Sequence, residues 1–202
     1  ESRKHRHDTM MEMAMSFGAL WQEKAKDPGE HDLISIMLRS EAMSHMDQQE
    51  FIGNLILLIV GGNDTTRNSM SAFAYGLDQF PDERAKLEVD HSHELAVNAM
   101  HELIRWQTPL AHMRRTVTED TELEGQRMAK GDKVVLWYLS ANRDESVFAD
   151  PERIIVNREN ARRHLSFGYG IHRCVGARVA EMQLTALIGE MQKRRLRVHV
   201  TE

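Results

Sequence analysis

Apolar residues recur at helical spacing through the first half of the chain. Between Thr9 and Lys26, the residues Met10, Met13, Phe17, Leu20 and Trp21 share one face of an amphipathic helix. The basic cluster Arg3-Lys4-His5-Arg6-His7 ahead of it reads as a solvated continuation of that helix. Asp27-Pro28-Gly29 breaks the pattern, and a short second helix begins at Asp32 and runs to Arg39. Asp47, with Glu50 three residues on, has capping-box spacing and opens a long helix over 47–79 that stops at Phe80-Pro81. At about 1.5 Å per residue this helix is about 48 Å long, enough to cross a whole domain. Pro81, followed by Asp82 and Glu83, suits the first turn of the next helix. A further helix over 93–106 ends before Pro109.

After Pro109 the period changes. Met113 to Val117, Glu122 to Gly125 and Lys133 to Tyr138 are short β-branched or alternating runs that predict a small sheet, with Gly131-Asp132 as a turn. Ser140 to Ser166 carries no period, and a stretch that long without regular structure is usually functional or wrapped around something. A helix follows from Ala177 to about Lys193, and Leu196 to Val200 alternates like the start of a strand. The fold class is therefore mainly α with a minor β-sheet.

Bulk composition narrows the function. The 202 residues suffice for one sizeable domain with a core, and 41% apolar with 28% charged residues is an ordinary globular balance. A formal charge of −5 argues against nucleic acid as the main partner. The apolar run Leu55 to Val60 is far too short to span a bilayer, and the polar start Glu1 to Asp8 does not read as a signal peptide. The single cysteine, Cys174, excludes an internal disulfide and fits a reducing compartment. The thirteen methionines are scattered and read as packing or pocket-lining residues.

Two stretches depart from what stability alone selects. Within the long helix, Gly61-Gly62-Asn63-Asp64-Thr65-Thr66 places two glycines, an acid and two β-branched residues in a helix interior, at about 1 kcal/mol per glycine relative to alanine. A threonine hydroxyl bonding back to the chain, or a local opening of the ladder, would bend the helix there. A groove for a small ligand beside the helix accounts for the choice, and a crossing with another helix is the alternative. The second stretch is Phe167 to Gly176, which holds Cys174 among Gly168, Gly170 and Gly176 just before a helix N-terminus. The positive end of a helix favours an anionic sulfur, so such a loop can present a thiolate to a metal from one side. A buried structural cysteine is the alternative for that residue taken alone. His91, His93 and His101 do not form His-Glu-x-x-His, and their spacing does not put three nitrogens on one helical face, so a zinc hydrolase is set aside.

The decapeptide Phe167-Gly-Tyr-Gly-Ile-His-Arg-Cys-Val-Gly176 fills every fixed position of Phe-Gly-x-Gly-x-His/Arg-x-Cys-x-Gly and resembles the haem-binding loop of the cytochrome P450 family. Gly61 to Thr66 resembles that family's central-helix signature, Ala/Gly-Gly-x-Asp/Glu-Thr-Thr/Ser. Glu102-Leu-Ile-Arg105 resembles its Glu-x-x-Arg, with Arg153 of Phe148-Ala-Asp-Pro-Glu-Arg153 as the expected third member of a buried charge cluster. The motifs stand in the family's order across essentially the whole chain. Residues 57–69 and 105–116 are similar to bacterial soluble alkane and fatty-acid ω-hydroxylases. Family members are longer, so residues 1–202 are expected to be a partial domain, the C-terminal part of the fold, without the helices that close the distal pocket and without the C-terminal hairpin.

The resemblance implies roles residue by residue. Cys174 is the axial thiolate ligand of a b-type haem, which in this family favours O–O cleavage. Asp64, Thr65 and Thr66 lie across the haem, Asp64 and Thr65 relaying protons to dioxygen. Arg114 and His172 neutralise the haem propionates, Phe167 packs near ring and sulfur, and Gly168 and Gly176 shape the loop. Glu102, Arg105 and Arg153 form the cluster behind it. The implied reaction is monooxygenation at a C–H bond, with terminal hydroxylation of a medium-chain alkane or fatty acid as its form. The implied partners are dioxygen, an apolar substrate, a ferredoxin and its NAD(P)H-dependent reductase, with Arg173 and Arg178 as docking residues and the cytoplasm as the location. A haem-thiolate binding or sensing protein and an inactive fragment are the alternatives, and the pair Asp64 and Thr65 argues for oxygen activation over mere binding.

Overall fold

The computed structural model describes residues 2–29 and 31–201. Its elements are α1 (Ser2–Lys24), α2 (Leu33–Arg39), α3 (Gln48–Gln79), α4 (Pro81–Val89), α5 (His93–Gln107), β1 (His112–Thr116), β2 (Thr121–Leu123), β3 (Gln126–Met128), β4 (Lys133–Trp137), α6 (Tyr138–Ala141) and α7 (Ala177–Arg194), with single 3-10 turns at Ala161–Arg163 and Gly170–His172. The chain divides into two compact units, residues 1–61 and 62–202.

In the first unit, α1 begins well before Thr9, and the helix extends through the basic cluster. The side chains of Arg3 and Arg6 lie outside the described residues. Of the expected apolar face, Phe17, Leu20 and Trp21 pack against a core of Ile34, Met37, Phe51 and Leu55, whereas Met10 stays exposed. The rings of Trp21 and Phe51 stand 4.1 Å apart between centroids. Asp32 caps α2 by accepting from the Ser35 N–H at 3.0 Å, and the Lys24 ammonium, 2.7 Å away, holds its carboxyl well below the usual carboxylate range. Asp47 likewise accepts from the Glu50 N–H at 2.8 Å, as its capping spacing predicts.

In the second unit, the latter part of α3 packs with α4, α5 and α7 around Phe73, Leu77, Leu87, Met100, Leu103 and Ile188. Ile154 and Val156, from the irregular segment, are fully buried in the same core. Gly76 is what lets Ile154 in. A Cβ there would stand 2.5 Å from Ile154 Cδ1 and 3.3 Å from Leu103 Cδ2. α5 is capped by Ser92, whose hydroxyl accepts from the Leu95 N–H, and it ends at Thr108, which adopts a left-handed φ of 47°.

The strand region differs from the expected single sheet. β1 pairs antiparallel with β4, Arg114 opposite Val135, while β2 and β3 form a separate two-stranded ribbon. Glu124 and Gly125 both take positive φ, 48° and 77°, which reverses the chain within the run expected to continue as one strand. Tyr138 opens α6 instead of ending β4. Leu196–Val200 forms no strand. It is held instead by the Leu196 N–H donating to the Met191 carbonyl, the Val200 N–H donating to Asp78, and the Arg197 side chain paired to Glu88 at 2.7 Å. α3 passes through 61–66 without interruption, so the expected opening of the ladder does not occur.

Candidate active site

The cysteine loop is exposed at its tip and tied at its base. Gly168 and Gly170 both take φ of 70°, the left-handed region that a side chain resists. A Cβ on Gly168 would stand in ordinary contact with Tyr138 Oη at 3.4 Å and the His172 carbonyl at 3.5 Å, so its cost there is the backbone conformation. The Cys174 N–H donates to the Phe167 carbonyl at 2.8 Å, which closes the loop on itself. Cys174 lies just ahead of α7, whose N-cap is Gly176, and a Cβ on that glycine would stand 3.9 Å from the sulfur. The thiol is exposed, and so are Tyr169, Ile171 and Val175 around it. Phe167 is half-buried against the core and against the His164 ring, 5.4 Å between centroids. A buried structural cysteine is thereby ruled out.

Behind the loop sits a buried charge cluster. Arg105 donates from Nε and Nη2 to the two oxygens of Glu102 at 2.8 and 2.9 Å, a bidentate pair with both side chains at 0% exposure. The third charge is Arg158, not Arg153. Arg158 Nε reaches both Glu102 oxygens at 3.0 Å, and the Ile155 N–H adds a further bond to the same carboxylate at 2.9 Å. Arg153 instead points its guanidinium to exposed Asp82 at 2.7 Å, and only its carbonyl enters the cluster, accepting from Arg105 Nη2 at 3.0 Å. The remaining Arg105 donors go to the carbonyls of Asn142 and Pro151, at 2.8 and 2.9 Å. Two cations thus share one anion, and carbonyls from the irregular segment satisfy what is left. The turns of 142–158 are wound on these guanidinium groups rather than on a backbone ladder.

Two buried histidines adjoin the loop. The Ser166 N–H donates to His164 Nδ1 at 3.2 Å, so the neutral ring carries its proton on Nε2 and directs it to His101 Nδ1, also at 3.2 Å. Burial pushes His164 down to about 3, with the neighbouring His101 and Arg105 adding to it. Burial, then Arg162, brings His101 down to about 4. Both rings are neutral at pH 7. Sequence reading passed over this pair because the partners are 63 residues apart.

The remaining expected residues fall as follows. Asp64 is exposed on α3 and pairs with Arg67 at 2.8 Å. Thr65 and Thr66 are half-buried, and Ser69 Oγ donates to the Thr65 carbonyl at 2.8 Å. A Cβ on Gly61 or Gly62 would meet nothing within 4 Å, so space is open beside that stretch of helix. Arg114 is exposed on β1, and His172 is exposed in the 3-10 turn of the loop. Among the described residues, no group of three His, Cys, Asp or Glu side chains could hold a metal ion, and no helix is long and apolar enough to cross a membrane. A lone exposed thiol with an apolar surround and glycine backbone fits a planar macrocycle that brings its own nitrogen ligands to the metal.

Comparison with known proteins agrees with this chemistry. The family model "Cytochrome P450" matches residues 1–199. The chain is 48% identical to a linalool 8-monooxygenase of Pseudomonas putida over 82% of this chain and 40% of that protein. It is 39% identical to a methyl-branched lipid omega-hydroxylase of Mycobacterium tuberculosis over 96% of this chain and 46% of that protein. Among solved structures, cytochrome P450-153 from Novosphingobium aromaticivorans superposes with a TM-score of 0.92 at 58% identity, over 98% of this chain and 49% of that one. The chain spans about half the length of the relatives it matches.

Proposed function

The chain belongs to the cytochrome P450 family, and from that premise we propose that it forms the iron-holding part of a haem-dependent monooxygenase. The reaction inserts one oxygen atom of dioxygen into a C–H bond of an apolar small molecule and reduces the other to water. The observation that carries this reading is Cys174, the single thiol of the chain, exposed on a glycine loop whose base is locked into the core. A b-type haem, once bound, supplies the oxygen-activating chemistry, and thiolate ligation in this family favours O–O cleavage.

The chain's own residues divide the remaining work. Cys174 provides the anionic ligand, and the closure of its N–H onto Phe167 fixes the loop around it. Arg114 and His172, both exposed, anchor the propionates by charge-assisted hydrogen bonds. Asp64 exchanges protons with water from its exposed position, and the Thr65 hydroxyl hands them inward, with Thr66 beside it. Gly61 and Gly62 leave room for ligand beside the helix. The relatives named for linalool and for methyl-branched lipids support an apolar substrate, and terminal hydroxylation of a medium-chain alkane or fatty acid is the form proposed. Electrons come from a ferredoxin and its NAD(P)H-dependent reductase in the cytoplasm, with exposed Arg173 and Arg178 as the docking cations.

The test is the absorption spectrum of the reduced, carbon monoxide-bound chain after reconstitution with haem. A Soret band in the thiolate position, abolished by Cys174→Ser, supports the reading. A histidine-type band that survives Cys174→Ser defeats it. In the active protein, Asp64→Asn or Thr65→Ala should lower turnover by about 10²-fold or more while leaving that band in place. Unchanged turnover would favour a haem-binding or sensing protein.

A further inference from the structure

The residues that lead into the cysteine loop are held from beneath by one side chain. Asn142 follows α6 and is fully buried. Its Nδ2 donates to Thr108 Oγ1 at 2.9 Å and to Ser166 Oγ at 2.7 Å, while its Oδ1 accepts from the Leu165 N–H at 2.7 Å. The orientation of this amide follows from its neighbours. The Leu165 N–H can only donate, so the oxygen must face it. Both hydroxyls have already committed their protons to α5, Thr108 to the Arg105 carbonyl at 2.7 Å and Ser166 to the Ile104 carbonyl at 3.0 Å. What they offer residue 142 is therefore lone pairs only. A carboxamide has the two donors and one acceptor this site demands, and a carboxylate or an aliphatic group of the same size does not.

The two hydroxyls lead in different directions. Thr108 is the C-cap of α5, so its branch ends within the helix. Ser166 is joined through the peptide bond to Phe167, whose carbonyl accepts from the N–H of Cys174 at 2.8 Å. The buried charges brace the same junction, because Arg105 Nη1 donates to the Asn142 carbonyl at 2.8 Å. We propose that Asn142 is a positioning residue for the sulfur of Cys174, its amide clamping Leu165 and Ser166 to a backbone that Arg105 already fixes, so that the loop enters at one fixed height. The proposal rests on the reading of this loop as the haem site.

Its test compares two variants that remove the same chemistry. Ser166→Ala and Thr108→Val each delete one hydroxyl, with one bond accepted from Asn142 and one donated to an α5 carbonyl. Each is made in the haem-loaded protein, beside Asn142→Asp and the control Cys174→Ser. Thermal melting, the fraction of the reduced carbon monoxide complex in the thiolate form, and the reduction potential are read for all. Ser166→Ala and Asn142→Asp are expected to cut the ratio of thiolate to non-thiolate complex by about 10-fold, the scale for outer-shell partners of a metal ligand, and to shift the potential. Thr108→Val should lower the melting temperature comparably and leave spectrum and potential as in the parent. Equal spectra for Ser166→Ala and Thr108→Val, whether both shifted or both unshifted, overturn the positioning role. If Asn142→Asp does not fold, that pair still decides. A histidine-type band in the parent that survives Cys174→Ser defeats the haem-loop reading, and the proposal with it.

Discussion

Two acid–arginine pairs in this chain share one local pattern and have opposite fates. Asp64 and Arg67 stand three residues apart on α3, and Glu102 and Arg105 stand three apart on α5. Both pairs close to 2.8 Å. The first is 65% and 71% exposed, the second is fully buried. In water such a pair contributes about 0.2–1 kcal/mol, because solvent screens it and two long side chains must be ordered. Out of water, removing one partner costs about 3–5 kcal/mol, because the other charge is left uncompensated. Spacing sets the distance between the charges, and burial sets what that distance means. Burial also divides the roles. The Glu102 carboxylate is fixed in place by Arg105, Arg158 and the Ile155 N–H, whereas the Asp64–Arg67 pair lies in solvent.

The contrast can be broken from its strongest side first. Glu102→Gln leaves two guanidinium groups around a neutral amide, and we expect a loss of about 3–5 kcal/mol in denaturant unfolding. Arg153→Ala, at the position that sequence assigns to the cluster, should cost under about 1 kcal/mol, since its side chain is half exposed and its carbonyl remains. Comparable losses for the two would mean that Arg158 is not the third charge.

Next in size is Gly76→Ala. Alanine gains up to about 1 kcal/mol in helix propensity, but the new methyl would stand 2.5 Å from Cδ1 of fully buried Ile154, which must shift within the packed core. A net loss of about 1–2 kcal/mol is expected from thermal unfolding.

The histidine pair adds a pH dependence with a definite sign. Both folded-state values are lowered, to about 4 for His101 and about 3 for His164, against about 6.5 unfolded. The unfolded chain therefore binds protons that the folded chain refuses, and stability falls as pH drops below about 6.5, by up to about 1.4 kcal/mol per unit per ring. Between about pH 6.5 and 5 the carboxylates contribute little, so the slope there belongs to the histidines. His101→Gln should roughly halve it in melts across that window.

The smallest effect closes the comparison. Asp64→Asn should change unfolding free energy by under about 0.5 kcal/mol, and high salt should erase even that. A larger loss would show that Asp64 has a buried role after all.

Much of this architecture is legible in the chain. Interactions within four residues specify the helices, so Asp47 and Pro81 mark starts that the sequence places, and Asp32 and Ser92 cap the helices that follow them. The decapeptide 167–176 is equally local. Its glycines at 168 and 170 take the positive φ that only their composition makes cheap, and they bring one thiol to the surface just ahead of α7. Strand pairing was less legible, since Leu196–Val200 has the alternation of a strand but no partner edge among the described residues.

What the tertiary structure alone decided lies in the contacts between distant segments. The path of 142–158 has no period, so nothing local says whether Arg153 or Arg158 turns inward; the winding of carbonyls around Arg105 settles it for Arg158. The same path brings Asn142 beneath Ser166 and sets His164 against His101. Sequence fixes which groups need partners. Only the fold, by removing water from a few of them, decides which partners they must find.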